Sequence, residues 1–186
     1  KHADSNGDGV VNDDDLEAIL LNFGKTHGPV PPNNHPEGTE VDPPLFVDVE
    51  NTPLTPGVEF EIPIILGTEG KDVEALYGIA FTINFDPEKV NASTIDVAFS
   101  ESWMGTPDED LISFDKKLIA DGKMEVALTR KDKENVKGFG PIGTVTGIII
   151  DDILGKVAFE ITDLKAIDVE ETPVKIYTPI HEGESS

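Results

Sequence analysis

The sequence contains no cysteine, so disulfide bonds, thiol catalysis, zinc ribbons and iron–sulfur clusters are excluded. Basic residues are also scarce, since 14 Lys and Arg stand against 37 Asp and Glu in 186 residues, a formal net charge of −23. Such a chain repels phosphate groups, and we therefore expect no binding to nucleic acid or to an anionic membrane surface. No apolar run approaches the roughly 18 residues of a membrane span, so we expect no membrane insertion. The acidic side chains point instead to divalent cations, above all calcium.

Catalytic motifs are missing as well. The chain has no GxSxG, HExxH or phosphate-binding glycine loop. Its four histidines fall in terminal or linker segments, outside the strand-rich part of the sequence: His2, His27, His35 and His181. Such positions do not favour a rigid Ser-His-Asp triad, and no acidic pair stands out for glycoside hydrolysis. We therefore expect a protein that is not an enzyme.

Composition divides the chain into zones. Residues 1–24 are rich in Asp and end in a short helical pattern. Residues 25–44 hold six prolines and almost nothing apolar, which predicts an extended, semi-rigid linker. Residues 45–180 carry strand patterns, and residues 181–186 are left as a tail. The chain opens at Lys1 without a charged-then-apolar leader, so we expect a processed piece of a longer protein.

The strand-rich zone shows the period of two that is typical of strands with one buried face. The clearest runs are Val58, Phe60, Ile62, Ile64 and Leu66, then Tyr77, Ile79, Phe81, Ile83 and Phe85, with further runs at 95–99, 124–128, 145–150, 156–161 and 174–180. Broken by Gly, Pro and Asp, these runs predict an antiparallel β-sandwich. Pro63 cannot donate a ladder hydrogen bond, so its strand is expected to lie at an edge or to carry a bulge.

Residues 4–15, DSNGDGVVNDDD, have the spacing of an EF-hand calcium loop. Calcium takes about six to eight oxygen ligands, and this loop offers oxygens at alternate positions. The candidate ligands are Asp4, Asn6, Asp8, the backbone carbonyl of Val10, Asn12 and Asp15. An apolar stripe at helical spacing follows and predicts a short helix: Leu16, Ile19, Leu20 and Phe23. The alternative is an acidic, solvated turn that merely caps this helix.

The run DSNGDGVVNDDDLEAILLNFGKT resembles one repeat of a type I dockerin, including an Asp at the last loop position, where the EF-hand pattern has Glu. The resemblance implies a small calcium-dependent module of bacterial extracellular assemblies. Dockerins normally carry two such repeats, and this sequence shows one. Either the second repeat lies upstream in a longer protein, or the single loop serves as an interdomain clip.

Residues 45–180 resemble a cohesin module. The resemblance is carried, in the family's order, by TPGVEFEIPIIL, YGIAFTINFDPEKV, SWMG, ALTRKDKENVKGFGPIGTVTGIII and KVAFEITDLKAIDVEETPVKI. It implies a nine-stranded jelly-roll sandwich, a dockerin as the protein partner, and a flat strand face rather than a catalytic cleft.

Three further features each have an ordinary and a functional interpretation. Trp103 is expected in the core, with stacking on a sugar as the alternative. Residues 130–134, RKDKE, are the only basic cluster and form either a solvated loop or a contact for acidic groups of a partner. Asp151 and Asp152 are expected in a solvated turn, with a second calcium site as the alternative.

These patterns favour a non-catalytic, secreted, calcium-binding module for protein–protein attachment at a bacterial surface. A structural repeat or spacer is the first alternative, in which neighbouring copies associate through a calcium-rigidified joint. Carbohydrate binding is the second alternative, and the single Trp and two Tyr weigh against it because sugar-binding faces use rows of aromatics.

Overall fold

The computed structural model describes residues 35–100, 102–150 and 155–185. The chain divides into two units, Lys1–Asn34 and His35–Ser186, and all described residues belong to the second. The candidate calcium loop at residues 4–15 and the helix predicted after it lie outside the described residues, as do Asp151 and Asp152.

The described residues form eleven β-strands and one 3₁₀ turn, and they include no α-helix. In chain order the elements are β1 (Leu45–Val47), β2 (Glu59–Leu66), β3 (Val73–Leu76), β4 (Gly78–Phe85), β5 (Asp96–Ala98), β6 (Leu111–Leu118), the 3₁₀ turn (Ile119–Asp121), β7 (Lys123–Arg130), β8 (Val136–Gly138), β9 (Gly140–Ile148), β10 (Gly155–Ile167) and β11 (Glu182–Ser185).

Two antiparallel sheets hold most of these strands. A four-stranded sheet has the order β1-β2-β9-β5, and a five-stranded sheet has the order β11-β10-β4-β7-β6. Strands β3 and β8 pair as a separate two-stranded ribbon. Every pairing between these strands is antiparallel. The prediction of a mainly β, antiparallel fold is confirmed.

The hydrophobic core lies between the two sheets. Alternate residues of β2, such as Ile62 and Ile64, and of β4, such as Ile83, are fully buried. The ring of Phe60 in the four-stranded sheet meets the ring of Phe159 in the five-stranded sheet edge-on, with 5.9 Å between centroids. Removal of these side chains from water is the main force that holds the two sheets together.

Pro63 lies within β2, opposite Thr144 of β9. The register shifts between Ile64 and Ile65, where the extra residue, Ile142, lies in β9; β2 is an inner strand and does not itself carry the bulge, so this prediction is wrong. Beyond the end of β1, the carbonyl of Pro63 accepts the backbone N–H of Asp48 at 2.9 Å. The proline therefore stands beyond the end of β1, where the ladder between β1 and β2 needs no donor from β2.

The C-terminal region departs from the sequence prediction. Residues 174–180 form no strand: Val174 N–H donates to the carbonyl of Ala166 at 2.8 Å, Tyr177 N–H donates to the carbonyl of Pro43 at 2.9 Å, and the Tyr177 carbonyl accepts Leu45 N–H at 2.7 Å. Pro179 interrupts the donor pattern that a strand requires. Residues 182–185, which lie in the predicted tail, form β11 against β10.

Residues 35–44, the described part of the predicted linker, run against the sandwich. The Nε2 atom of His35 accepts the backbone N–H of Ala166 at 3.1 Å. A Cβ on Gly38 would lie 2.3 Å from the backbone carbonyl of Ile176, so only glycine fits at this approach. The Pro-rich composition does not indicate such packing, because the contacts depend on residues more than 100 positions away.

Candidate protein-binding face

The five-stranded sheet has one face in the core and one turned outward. On β4 the buried Ile79, Phe81 and Ile83 point inward, so the residues between them point outward, because side chains alternate along a strand. The strand register carries this assignment to the neighbouring strands. The outward surface, called the sheet face below, comprises Ile112, Phe114, Lys116 and Leu118 of β6, Lys123, Glu125, Ala127 and Thr129 of β7, Gly78, Ala80, Thr82 and Asn84 of β4, and Glu160, Thr162 and Lys165 of β10.

Two large apolar side chains stand on the sheet face near its β6 edge. Ile112 is 49% exposed and Phe114 is 61% exposed. Phe114 lies opposite Ala127, which in turn lies opposite Ala80. These four residues are called the apolar patch below. Because the two alanines are small, the surface beside the Phe114 ring is low and flat. Clustered apolar side chains left in water mark interaction surfaces.

Most of the remaining side chains on the sheet face are polar. Lys116 Nζ lies 3.3 Å from a carboxylate oxygen of Glu125, with both side chains about half exposed. Asn84 Nδ2 donates to Thr162 Oγ1 at 2.8 Å and to the carbonyl of Glu160 at 3.2 Å. An exposed ion pair contributes at most about 1 kcal/mol to stability, so these groups influence recognition more than folding.

The opposite side of β6 is tied to the four-stranded sheet by an ion pair. Lys117 Nζ lies 2.7 Å from Asp96 Oδ1, which belongs to β5. The hydrogen bond from Lys117 is the main cause that holds the pKa of Asp96 below its usual value. The backbone N–H of Val97, which donates to the same carboxylate at 2.8 Å, lowers this pKa further. The pair therefore links β5 and β6, which are edge strands of the two sheets.

Arg130, the first residue of the basic cluster, is a buried structural residue with 9% of its surface exposed. Its Nε donates to Asp132 Oδ1 at 3.0 Å and its Nη2 donates to Asp132 Oδ2, while Nη1 donates to the carbonyl of Met104. The hydrogen bond with Asp132 raises the pKa of Arg130 and lowers that of Asp132. Because its donors are occupied within the chain, Arg130 is not available to acidic groups of a partner.

Trp103 is also used inside the fold. Its Nε1 donates to the carbonyl of Leu66 at 3.2 Å, and its ring packs against the core. A Cβ on Gly138 would lie 2.6 Å from the indole, so the ring covers this glycine closely. Both observations favour the structural interpretation of Trp103 over sugar stacking.

The described residues offer no metal centre: no group of three or more His, Asp or Glu side chains among them could hold an ion. The candidate ligands Asp4, Asn6, Asp8, Val10, Asn12 and Asp15 all lie outside the described residues. No helix in the described ranges is long and apolar enough to cross a membrane.

The apolar patch could not be predicted from the sequence. In LISFDKKL the apolar residues alternate with polar ones only as far as Phe114, and Lys116 and Lys117 then end the pattern. Strand β6 is exposed on both sides from Ile112 to Lys117, so no buried face imposes a longer alternation.

Comparison with known proteins supports a cohesin fold. No family model matches the sequence, and no curated protein matches it significantly. A chain of a type I cohesin–dockerin complex from Clostridium thermocellum superposes with a TM-score of 0.62 at 14% identity, covering 78% of this chain and 99% of that one. A chain of the complex between the sixth cohesin of Acetivibrio cellulolyticus scaffoldin B and a dockerin gives 0.61 at 17% identity, with coverage of 78% and 99%.

The likeness extends beyond dockerin complexes. A non-cellulosomal cohesin from the archaeon Archaeoglobus fulgidus gives a TM-score of 0.56 at 10% identity, covering 78% of this chain and 91% of that one. Identities this low establish the fold alone. The described sandwich therefore has the fold of cohesin modules, which agrees with the resemblance seen in residues 45–180.

Proposed function

We propose that this chain is a non-catalytic attachment module that binds another protein through the sheet face, as a cohesin binds a dockerin. The observation that carries the proposal is the apolar patch, where Phe114 remains 61% exposed on a flat sheet. The similar structures from Clostridium thermocellum and Acetivibrio cellulolyticus support a protein partner, because both were crystallised with dockerins.

A helix with an apolar stripe suits this surface. The small side chains of Ala80 and Ala127 let a helix approach closely, and Phe114 and Ile112 can pack against its stripe. Completing the burial of one such half-exposed side chain contributes about 1–2 kcal/mol. The ion pair between Lys116 and Glu125, 3.3 Å apart, provides charges of both signs beside the patch, which favours one orientation of the partner.

The binding test is a titration of the chain with a panel of type I and type II dockerins by calorimetry, at millimolar calcium. We expect saturable binding to at least one of them, weakened about tenfold by Phe114→Ala. Phe139→Ala is the matched control, because Phe139 is 47% exposed but precedes β9 of the other sheet. Binding that is equal in both variants, or absent across the panel, would refute the proposal.

We also propose that residues 4–15 bind calcium through Asp4, Asn6, Asp8, the Val10 carbonyl, Asn12 and Asp15. Oxygen ligands at this spacing support the assignment, and millimolar extracellular calcium can fill even a weak loop of this kind. Neutralising part of the acidic cluster would let the loop fold and the short helix after it form. Secretion to a bacterial surface follows from the same proposal.

Calcium binding is tested by calorimetric titration of the chain and of the double variant Asp4→Ala/Asp15→Ala. Saturable binding that disappears in the double variant is expected. Asp151→Ala/Asp152→Ala is a control that removes the same charge from the other acidic pair. If this control abolished binding while the first variant retained it, the loop would not be the calcium site.

Two alternatives predict different results. A spacer role predicts self-association that a chelator abolishes, with no binding to any dockerin. A carbohydrate-binding role requires exposed aromatics in a row. Phe114 and Phe139 are the exposed large aromatics among the described residues. Phe114 lies in β6 and Phe139 lies between β8 and β9, so they form no row on one sheet and the described surface does not favour sugar binding.

A further inference from the structure

Strand β6 forms one edge of the five-stranded sheet, with β7 on its inner side. The loop before it bonds to its outer side at the first residue. Leu111 N–H donates to the carbonyl of Thr106 at 3.1 Å, and the Leu111 carbonyl accepts Asp108 N–H at 3.1 Å. On the inner side, the carbonyl of Asp110 accepts Lys131 N–H at 2.9 Å.

These bonds reveal which backbone groups of β6 are free. Because residues alternate along a strand, every second residue after Leu111 also points its N–H and carbonyl away from β7. These residues are Ser113, Asp115 and Lys117, which present three donors and three acceptors to the outer edge. No backbone hydrogen bond in the described ranges occupies this edge beyond Leu111.

The other edge strands of the two sheets are shorter than β6. Strands β1 and β5 have three residues each. At the far edge of the five-stranded sheet, Ser185 of β11 forms a bridge with Leu54. In β6, by contrast, every side chain from Ile112 to Lys117 is exposed. A long open edge strand is a template for pairing with another strand.

We propose that β6 pairs antiparallel with β6 of a second copy of this chain, joining two five-stranded sheets into one continuous sheet. This contact uses the strand edge rather than the sheet face, so it goes beyond the proposed dockerin-type binding and does not depend on it.

Charge complementarity selects both the occupant and the register. Two-fold symmetry requires the outward-bonding residues of one copy to face those of the other. Pairing Asp115 with Lys117 of the second copy does this twice and forms two cross-strand ion pairs. The same register places Phe114 opposite Leu118 twice, on the sheet face. Both of these sets of opposed side chains are favourable.

The neighbouring registers are poorer. A shift by one pair in the direction of Leu111 places Asp115 opposite Asp115 of the second copy, a like-charge contact. A further shift places Lys117 opposite Leu111, whose backbone groups are already bonded to the loop. In the favoured register Lys116 faces Lys116 of the second copy. Each Lys116 has a counter-charge in its own chain, because its Nζ lies 3.3 Å from a carboxylate oxygen of Glu125.

The net charge of −23 opposes association at low ionic strength. At about 0.15 M salt the screening length is about 8 Å, so distant charges are screened while the adjacent Asp–Lys pairs still interact. We therefore expect a weak dimer that forms at high protein concentration in physiological salt. Lys117 would then lie between Asp96 of its own copy and Asp115 of the second.

The test is sedimentation equilibrium of the whole chain at increasing concentration, with a chelator present to exclude calcium-linked association. We expect a dimer whose dissociation constant rises about tenfold or more in Asp115→Lys, because two attractive pairs become repulsive. Glu160→Lys makes the same charge change on the sheet face and is expected to leave the dimer intact. Thermal melts verify that each variant is folded.

A charge-swapped mixture gives a sharper result. Asp115→Lys alone and Lys117→Asp alone each place like charges opposite each other. Mixed together, the two variants restore both attractive pairs, so we expect association only in the mixture. Amide exchange provides a second measurement that needs no variant: on dimerisation the N–H groups of Asp115 and Lys117, which face each other in the favoured register, should exchange more slowly.

Three results would overturn the proposal. The first is a chain that stays monomeric at all concentrations. The second is a dimer that is equally strong in Asp115→Lys and Glu160→Lys, which would place the contact elsewhere. The third is a dimer in which the exchange rates of the Asp115 and Lys117 amides do not change. Dockerin binding is measured separately, so failure of one proposal is distinguishable from failure of the other.

Discussion

Replacement of Arg130 by Ala tests whether the buried guanidinium holds the loop before β6. In the structure its Nη1 donates to the carbonyl of Met104, a residue that is fully buried. Loss of this donor leaves a buried acceptor without a partner. The carboxylates of Asp132 and Asp110 are 34% and 43% exposed, so water can replace the guanidinium there. A hydrogen bond from a charged donor contributes about 1.5–3 kcal/mol, and we therefore expect a loss of about 2–3 kcal/mol.

Urea unfolding measures this loss, with Lys123→Ala on the same strand as the exposed control. Lys123 makes no ion pair among the described residues, and its removal should change stability by less than about 0.5 kcal/mol. Arg130→Lys should fall between the two, because an ammonium cannot make the paired contact with Asp132. If Arg130→Ala and Lys123→Ala were equally stable, the structural role of Arg130 would be refuted.

Two further predictions concern Gly138 in β8 and Asp96 in β5. Gly138→Ala should destabilise the chain by about 1–3 kcal/mol in urea unfolding, because the added Cβ would lie 2.6 Å from the Trp103 indole. A variant as stable as the parent would show that the ring can move away. Lys117 lowers the pKa of Asp96, so this pair stabilises the fold above the ordinary Asp pKa of about 3.9, and the contribution is lost as the pH falls through the lowered value. Asp96→Asn should therefore flatten the acid limb of a melting-temperature profile, and an unchanged acid limb would contradict the pairing.

The alternation of side chains was enough to predict the buried strands. Phe60, Ile62 and Ile64 of β2, and Ile79 and Phe81 of β4, follow a period of two and are buried between the sheets. Because a slip by one residue would expose the whole set, the pattern in such strands determines both the element and its face.

Strand β6 and the contacts around it could not be predicted in this way. No face of β6 is buried beyond Leu111, so its side chains follow no strict pattern. The role of Arg130 depends on Met104, 26 positions earlier, and a charged run in the sequence gives no sign of such a partner. The absence of a strand at 174–180 is consistent with Pro179, which has no backbone N–H to donate. A prediction made from the alternation of apolar residues alone ignores this missing donor.

The sheet face is tested most directly by hydrogen exchange of the chain with and without a bound dockerin. We expect slower exchange in peptides covering β6 and β7, residues 111–118 and 123–130, and no change in β2 and β9 of the four-stranded sheet. Protection confined to β2 and β9, or protection of β6 and β7 that persists at full strength in Phe114→Ala, would contradict the assignment of the sheet face as the binding surface.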